Sequence, residues 1–296
     1  MPKVAANGIE LEYELRGEES APAILLIMGL GGQLIRWPVK FCEALLAAGY
    51  RLILFDNRDI GLSTKMSGRV SVVSAALRNV VGLPSQLPYT LEDMAQDARG
   101  LLDALGIARA HVIGVSMGGM IGQLLTARFG ERVGGFVSMM STSGSLRLPG
   151  PSWDLRLSVL KRTASADRAV RIERMFRVLR RIASPAYPPD EAVLRALVAR
   201  ELDRADHPAG FLRQLAAILG TPSRLNLLTQ IRNPTLILHG ESDPLVPVAA
   251  AHDLKRRIPG AELQTFPGMG HDLPMALLPT LTARIIAHLR RAEGVA

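Results

Sequence analysis

Two spacings of apolar residues alternate along this chain. Uncharged runs at residues 23–28, 52–55, 112–115, 133–140 and 235–238 have the length and character of strands covered on both faces. Between them, apolar residues recur at three- and four-residue steps. Met94, Ala98, Leu101, Leu102 and Leu105 share one helix face, as do Met120, Ile121, Leu124, Leu125 and Phe129. The same spacing predicts helices at residues 41–48, 249–257 and 275–291, and a last strand falls at 261–266. Thr90 with Glu92 and Asp93 reads as a cap and an acidic first turn, and Gly49 reads as a C-terminal stop. Alternating strands and helices predict an α/β fold, a mostly parallel sheet with helices on both faces. Right-handed crossovers then bring the carboxyl ends of the parallel strands to one edge.

Three stretches break the rhythm. Residues 9–16 alternate apolar and polar positions after Asn7-Gly8, which predicts a half-exposed antiparallel edge strand entered from a tight turn. Residues 70–88 carry Gly and Pro punctuation and read as irregular. Residues 145–228 turn helical, rich in arginine and broken by Pro185, Pro188, Pro189, Pro208 and Pro222. We expect that stretch to be a helical cap inserted into a core made of residues 1–144 and 229–296.

Composition narrows the function classes. An apolar fraction of 48% over 296 residues is ample for a large core. The net charge of +8 is spread over the chain, almost all on arginine and without interleaved aromatics, so no nucleic-acid partner is expected. On the expected cap, Ile172, Met175, Phe176 and Leu179 keep helical spacing among arginines. A solvated basic face is the expectation there, and no membrane contact. The amino terminus lacks an apolar leader core, which predicts a cytoplasmic protein. Cys42 stands alone and reads as a buried thiol; no Cys/His cluster suggests zinc, and no metal or cofactor is expected.

The chemistry concentrates after particular strands. Gly114-Val115-Ser116-Met117-Gly118 follows an apolar strand and opens a helix, the context of a nucleophile elbow. Gly29-Leu30-Gly31-Gly32-Gln33 follows the first buried strand. It reads as a plain turn or as half an oxyanion hole with the Leu30 N–H as donor. A dinucleotide loop would need glycine where Leu34 stands. The Met117 N–H is the expected second donor. A serine nucleophile needs a base held by an acid. Of the six histidines, His271 lies in a Gly-rich loop directly after the last strand. Asp243 follows the strand ending at His239, with Glu241 as its near competitor, and no carboxylate occurs in Ser141-Thr142-Ser143-Gly144-Ser145. Asp56-Asn57-Arg58-Asp59 begins a polar loop whose charges are expected to hold the loop together. Met139, Met140, Trp153, Leu245 and Met269 are either pocket lining or core.

The order Ser116, Asp243, His271 is that of the α/β-hydrolases. The whole chain resembles that superfamily, and within it the serine esterases that carry a cap. Met28-Gly29-Leu30-Gly31-Gly32, the loop at residues 56–64 and the elbow are similar to those of the aclacinomycin methylesterase-like group. One departure is Met28, where the superfamily often has histidine before the glycine. The resemblance implies an enzyme that hydrolyses small-molecule carboxylic esters through an acyl-enzyme. Cofactor-free haloperoxidase or perhydrolase activity uses the same triad and stays open, as does a low-turnover ligand receptor on a hydrolase fold.

Overall fold

The computed structural model describes residues 2–84, 86–161 and 166–294, the side chain of Lys161 apart. Strands β1 (Lys3–Ala6) and β2 (Ile9–Arg16) form a hairpin whose register pairs Ala6 with Ile9. Its two-residue turn is Asn7-Gly8, with φ of 49° and 76°. Both residues are left-handed, as the mirror-image hairpin turns require. β3 (Ala23–Ile27) leads through α1 (Val39–Ala47) to β4 (Arg51–Phe55), and β2 pairs antiparallel with β4. β3, β4, β5 (Ala110–Val115), β6 (Val133–Met139), β7 (Thr235–Gly240) and β8 (Glu262–Phe266) pair parallel with one another. The order across the sheet is β1-β2-β4-β3-β5-β6-β7-β8.

The buried strands supply both faces of the core. From β3, Leu25 and Ile27 pack with α3 (Leu91–Ala104) and α4 (Met117–Arg128), while Ile24 and Leu26 pack with α1 and α11 (Leu278–Glu293). From β7, Ile237 meets α10 (Ala249–Arg257). Continuous apolar runs are what a sheet covered in this way requires. Thr90 and Asp93 form a capping box at the start of α3.

Strand order reverses between β3 and β5. The chain leaves β3 for β4 on one side and returns to β5 on the other. An open crevice forms outside the strand ends at such a reversal. The Gly-rich loop after β3 and the turn at Ser116 border it.

Two expectations are corrected. Residues 9–16, β2, are not an edge strand, because the hairpin places β1 outside them and β2 pairs with both β1 and β4. Residues 70–88 are not wholly irregular, since Val72–Val80 forms a helix, α2, whose first turn is capped by the Ser71 hydroxyl. The Gly and Pro residues at 68, 82, 84 and 88 bracket this helix and do not interrupt it. Between β6 and β7 lie α5 (Trp153–Lys161), α6 (Arg168–Ile182), α7 (Glu191–Arg204), α8 (Pro208–Gly220) and the short α9 (Leu225–Leu228). The expected cap, 145–228, also contains residues 162–165, which lie outside the described residues. Met175 and Phe176 of α6 are buried, so the apolar stripe among those arginines faces the interior. Among the described residues, no helix is long and apolar enough to cross a membrane.

The closing helix gives a pH test. His288 is buried on α11, and burial pushes its pKa down to about 4, with Glu262 opposing the shift and Arg291 and Arg284 adding to it. An unfolded histidine titrates near ~6.5. The folded value is the lower one, so the contribution of neutral His288 is complete above pH ~6.5 and is lost as pH falls toward the folded pKa. Across that window wild-type stability should drop by about 3 kcal/mol more than that of His288→Gln, read from urea midpoints at each pH.

Candidate active site

Ser116 sits between β5 and α4 with φ 56° and ψ −118°. A non-glycine residue held there costs roughly 1–3 kcal/mol, so its surroundings must enforce it. Close approach does so. A Cβ on Gly114 would overlap the Gly118 backbone, and one on Gly118 would overlap the Ile27 carbonyl. Glycine at both places lets α4 start with only Ser116 between it and β5, pressed against the end of β3. The Ser116 N–H donates to Met139 O at 2.8 Å, and the Ser141 hydroxyl donates to Ser116 O at 2.9 Å.

The loop after β3 lies beside this turn. The Cβ position of Gly29 is 3.1 Å from Ser116 Cβ and 3.7 Å from its Oγ. The next residue is Leu30. Among the described residues, neither the Leu30 N–H nor the Met117 N–H donates to the protein. Met117 opens α4, where a helix leaves its N–H groups unpaired and its dipole positive.

His271 and Asp243 meet on the same sheet edge. His271 Nδ1 is 2.6 Å from Asp243 Oδ2, and the imidazole is almost fully buried. The other carboxylate oxygen, Oδ1, accepts the N–H groups of Leu245 and Val246, each at 2.8 Å. His239 is also close, 3.6 Å from Asp243 Oδ2, with its Nε2 donating to Val246 O at 2.7 Å. Burial pushes the His239 pKa down, so at neutral pH that ring adds no charge to the pair. No hydrogen bond joins His271 to Ser116 among the described residues; such nucleophile–base contacts often tighten only with substrate bound. Glu241, the competing acid, turns instead to the Thr265 hydroxyl.

Helices between β6 and β7 hold both loops. Gln214 of α8 is fully buried; its Oε1 accepts the Gly31 N–H at 2.9 Å, and its Nε2 donates to Arg58 O at 2.8 Å. Gln33 donates to the backbone carbonyls of Glu201 and Ala205. Beneath them Asp56 accepts the Leu34 and Leu62 N–H groups and pairs with Arg204 at 2.6 Å. Asp59 pairs with Arg213 at 2.8 Å, and Arg58 with Asp97 at 2.6 Å. The charged loop therefore holds itself and also anchors α7 and α8. On the other side, the His271 N–H donates to Ile182 O at 2.7 Å. The Ser184 hydroxyl donates to Asp272 Oδ1 at 2.5 Å and accepts the Gly270 N–H. Burial raises the Asp272 pKa. Gln214 and Ser184 escaped the sequence reading because each acts on a partner far along the chain and neither belongs to a motif.

The remaining sequence candidates fall outside this arrangement. Met139, Met140 and Met269 are core, while Trp153 is exposed to solvent. His111 is buried and binds Glu293 and the Gly135 N–H. Cys42 is buried, which pushes its thiol up to about 11 and leaves it protonated. Met28 packs against Gly32, and Asn57 donates to the Met28 carbonyl, so the loop is supported without the usual histidine.

The Gln214 bridge can be tested directly. Gln214→Ala leaves the Gly31 N–H and the Arg58 carbonyl without their partner, which should cost about 1–3 kcal/mol in a urea titration. Amide exchange should accelerate at residues 29–34 and stay unchanged on β5.

Residues 22–275 match the family described as alpha/beta hydrolase fold. The chain is 31% identical over 98% of its length to rhodomycin D methylesterase DnrP of Streptomyces peucetius, covering 98% of that protein. It is 27% identical to a 2-hydroxy-6-oxononadienedioate/2-hydroxy-6-oxononatrienedioate hydrolase of Burkholderia vietnamiensis, over 97% of this chain and 94% of that one. Among solved structures it is similar to an enol-lactonase from Burkholderia xenovorans LB400, with a TM-score of 0.77, 25% identity, and coverage of 97% and 99%. On this sheet, this switch point and these matches, the chain belongs to the alpha/beta hydrolase fold family.

Proposed function

We propose that the protein is a serine hydrolase of small-molecule carboxylic esters. The Asp243–His271 bond carries the reading, lying on the sheet edge that also bears Ser116 in its strained turn. His271, with Nδ1 occupied by Asp243, takes the Ser116 proton through Nε2. Ser116 Oγ attacks the ester carbonyl, and the N–H groups of Leu30 and Met117 stabilise the oxyanion. Asp243 fixes the tautomer of His271 and stabilises its charged form. The alcohol leaves with the proton from His271, and water then attacks the acyl-enzyme with the same base. Each oxyanion donor is worth about 10²–10³ in rate.

In this reading residues 145–228 form a cap that shapes the substrate. A cleft lined by Gly31, Ile60, Arg171, Glu201, His207 and Phe211 opens between the Leu30 loop and helices α6 to α8; Ser116, Asp243 and His271 do not line it. The full-length similarity to a methylesterase favours an ester with a small alcohol.

A fluorophosphonate probe and a panel of p-nitrophenyl and methyl esters test the proposal. Wild type should label at Ser116 and turn over the panel. Ser116→Ala should lose labelling and at least about 10³-fold in kcat/KM while keeping the wild-type melting curve. Near-normal hydrolysis by Ser116→Ala would falsify the mechanism, and a wild type that neither labels nor turns over would make the chain a binder.

A further inference from the structure

α2 spends one face on the protein and leaves the other bare. Ala75 is buried against the end of α8, where a Cβ on Gly220 would come within 3.3 Å of it. Asn79 Nδ2 donates to the carbonyls of Leu219 and Thr221, which pins the helix there. Val73, Leu77 and Val80 stand at i, i+4 and i+7, so they share the opposite face. They are 60–66% exposed, and Val81 and Leu83 continue the strip through the following turn at 65% and 52%. Scattered exposed aliphatics are ordinary, but five within eleven residues make a patch.

The charges nearest the patch in sequence have one sign. No Asp or Glu occurs between Asp59 and Glu92, whereas Lys65, Arg69 and Arg78 do. Lys65 donates to the carbonyls of Gly61 and Ser63 and feels the carboxylates of Asp56 and Asp59, so it belongs to that loop. Arg69 is exposed, and Arg78 Nε donates to Pro84 O, which orients that cation without neutralising it. An apolar strip flanked by Arg69 and Arg78 is the chemistry of an interfacial anchor.

We propose that the outer face of α2 and its following turn dock on an anionic lipid surface. The aliphatic side chains enter the headgroup boundary, and Arg69 and Arg78 stay with the phosphates. Charge selects this occupant. A second copy of the chain would bring the same two arginines, Arg69 and Arg78, against these two, and like charges across an interface oppose association. The proposal places lipid contact on α2, in the stretch whose pattern reads as irregular, and not on the arginine-rich α6.

Co-sedimentation of the full chain with vesicles tests this without any turnover, so its outcome is independent of the ester-hydrolase reading. The protein should pellet with vesicles of phosphatidylcholine mixed with phosphatidylglycerol, and at least about tenfold less with phosphatidylcholine alone. Binding should weaken as salt rises. Leu77→Asp combined with Val80→Asp should abolish pelleting while leaving the circular dichroism spectrum unchanged. Arg69→Glu, at an exposed position, should weaken binding even if the double variant misfolds. Absence of pelleting with the anionic vesicles overturns the proposal, as does pelleting that neither variant changes. Self-association in sedimentation velocity that the double variant abolishes, without vesicle binding, would assign the face to a second copy instead.

Discussion

The contact on which the site depends is backbone against backbone. α4 begins immediately after Ser116, and its first turn lies against the Ile27 carbonyl at the end of β3. Only hydrogen fits at the α-carbons of Gly114 and Gly118 in that arrangement. The contact sets the positive φ of Ser116, exposes its side chain at the strand end, and leaves the Met117 N–H without an intrahelical partner. It also brings the Leu30 loop alongside, because β3 is the strand being pressed. One steric constraint thus fixes the relative places of two neighbouring loops at the switch point of the sheet.

A buried ionic frame supports the second loop. Asp56, Asp59 and Asp97 are almost fully buried, and each faces an arginine, respectively Arg204, Arg213 and Arg58. Such pairs contribute little net stability over an apolar substitute, but a lone member is expensive. Their effect here is geometric. Two of the three arginines come from α7 and α8, so the frame locks those helices to the loop after β4. Gln214 then transmits that placement to Gly31.

The fold was largely readable because period and punctuation agree with burial. The runs that form β3, β4 and β7 are apolar throughout because helices cover both faces. The capping box at Thr90 and the turn at Asn7-Gly8 act through nearest neighbours, so local sequence suffices to find them. α2 was missed for the opposite reason. Its apolar residues face outward, while the face that packs is built from Ala75 and Asn79, so the usual pattern is inverted. In the site, Ser116, Asp243 and His271 stand out because each follows a strand in a loop of small residues. Gln214 and Ser184 look like ordinary polar residues of the segment between β6 and β7, and their roles exist only once the chain has brought α8 to Gly31 and the end of α6 to Gly270.

The segment between β6 and β7 grips the Leu30 loop through Gln214 and the His271 loop through Ile182 and Ser184. It is therefore a brace across the mouth of the sheet as well as a cover. A transplanted segment would have to bring its own glutamine, serine and carbonyl contacts at matching heights. Without them the recipient would keep its strand-end loops and lose the alignment between them. The segment and the loops it braces therefore have to change together, which restricts how freely either can diverge.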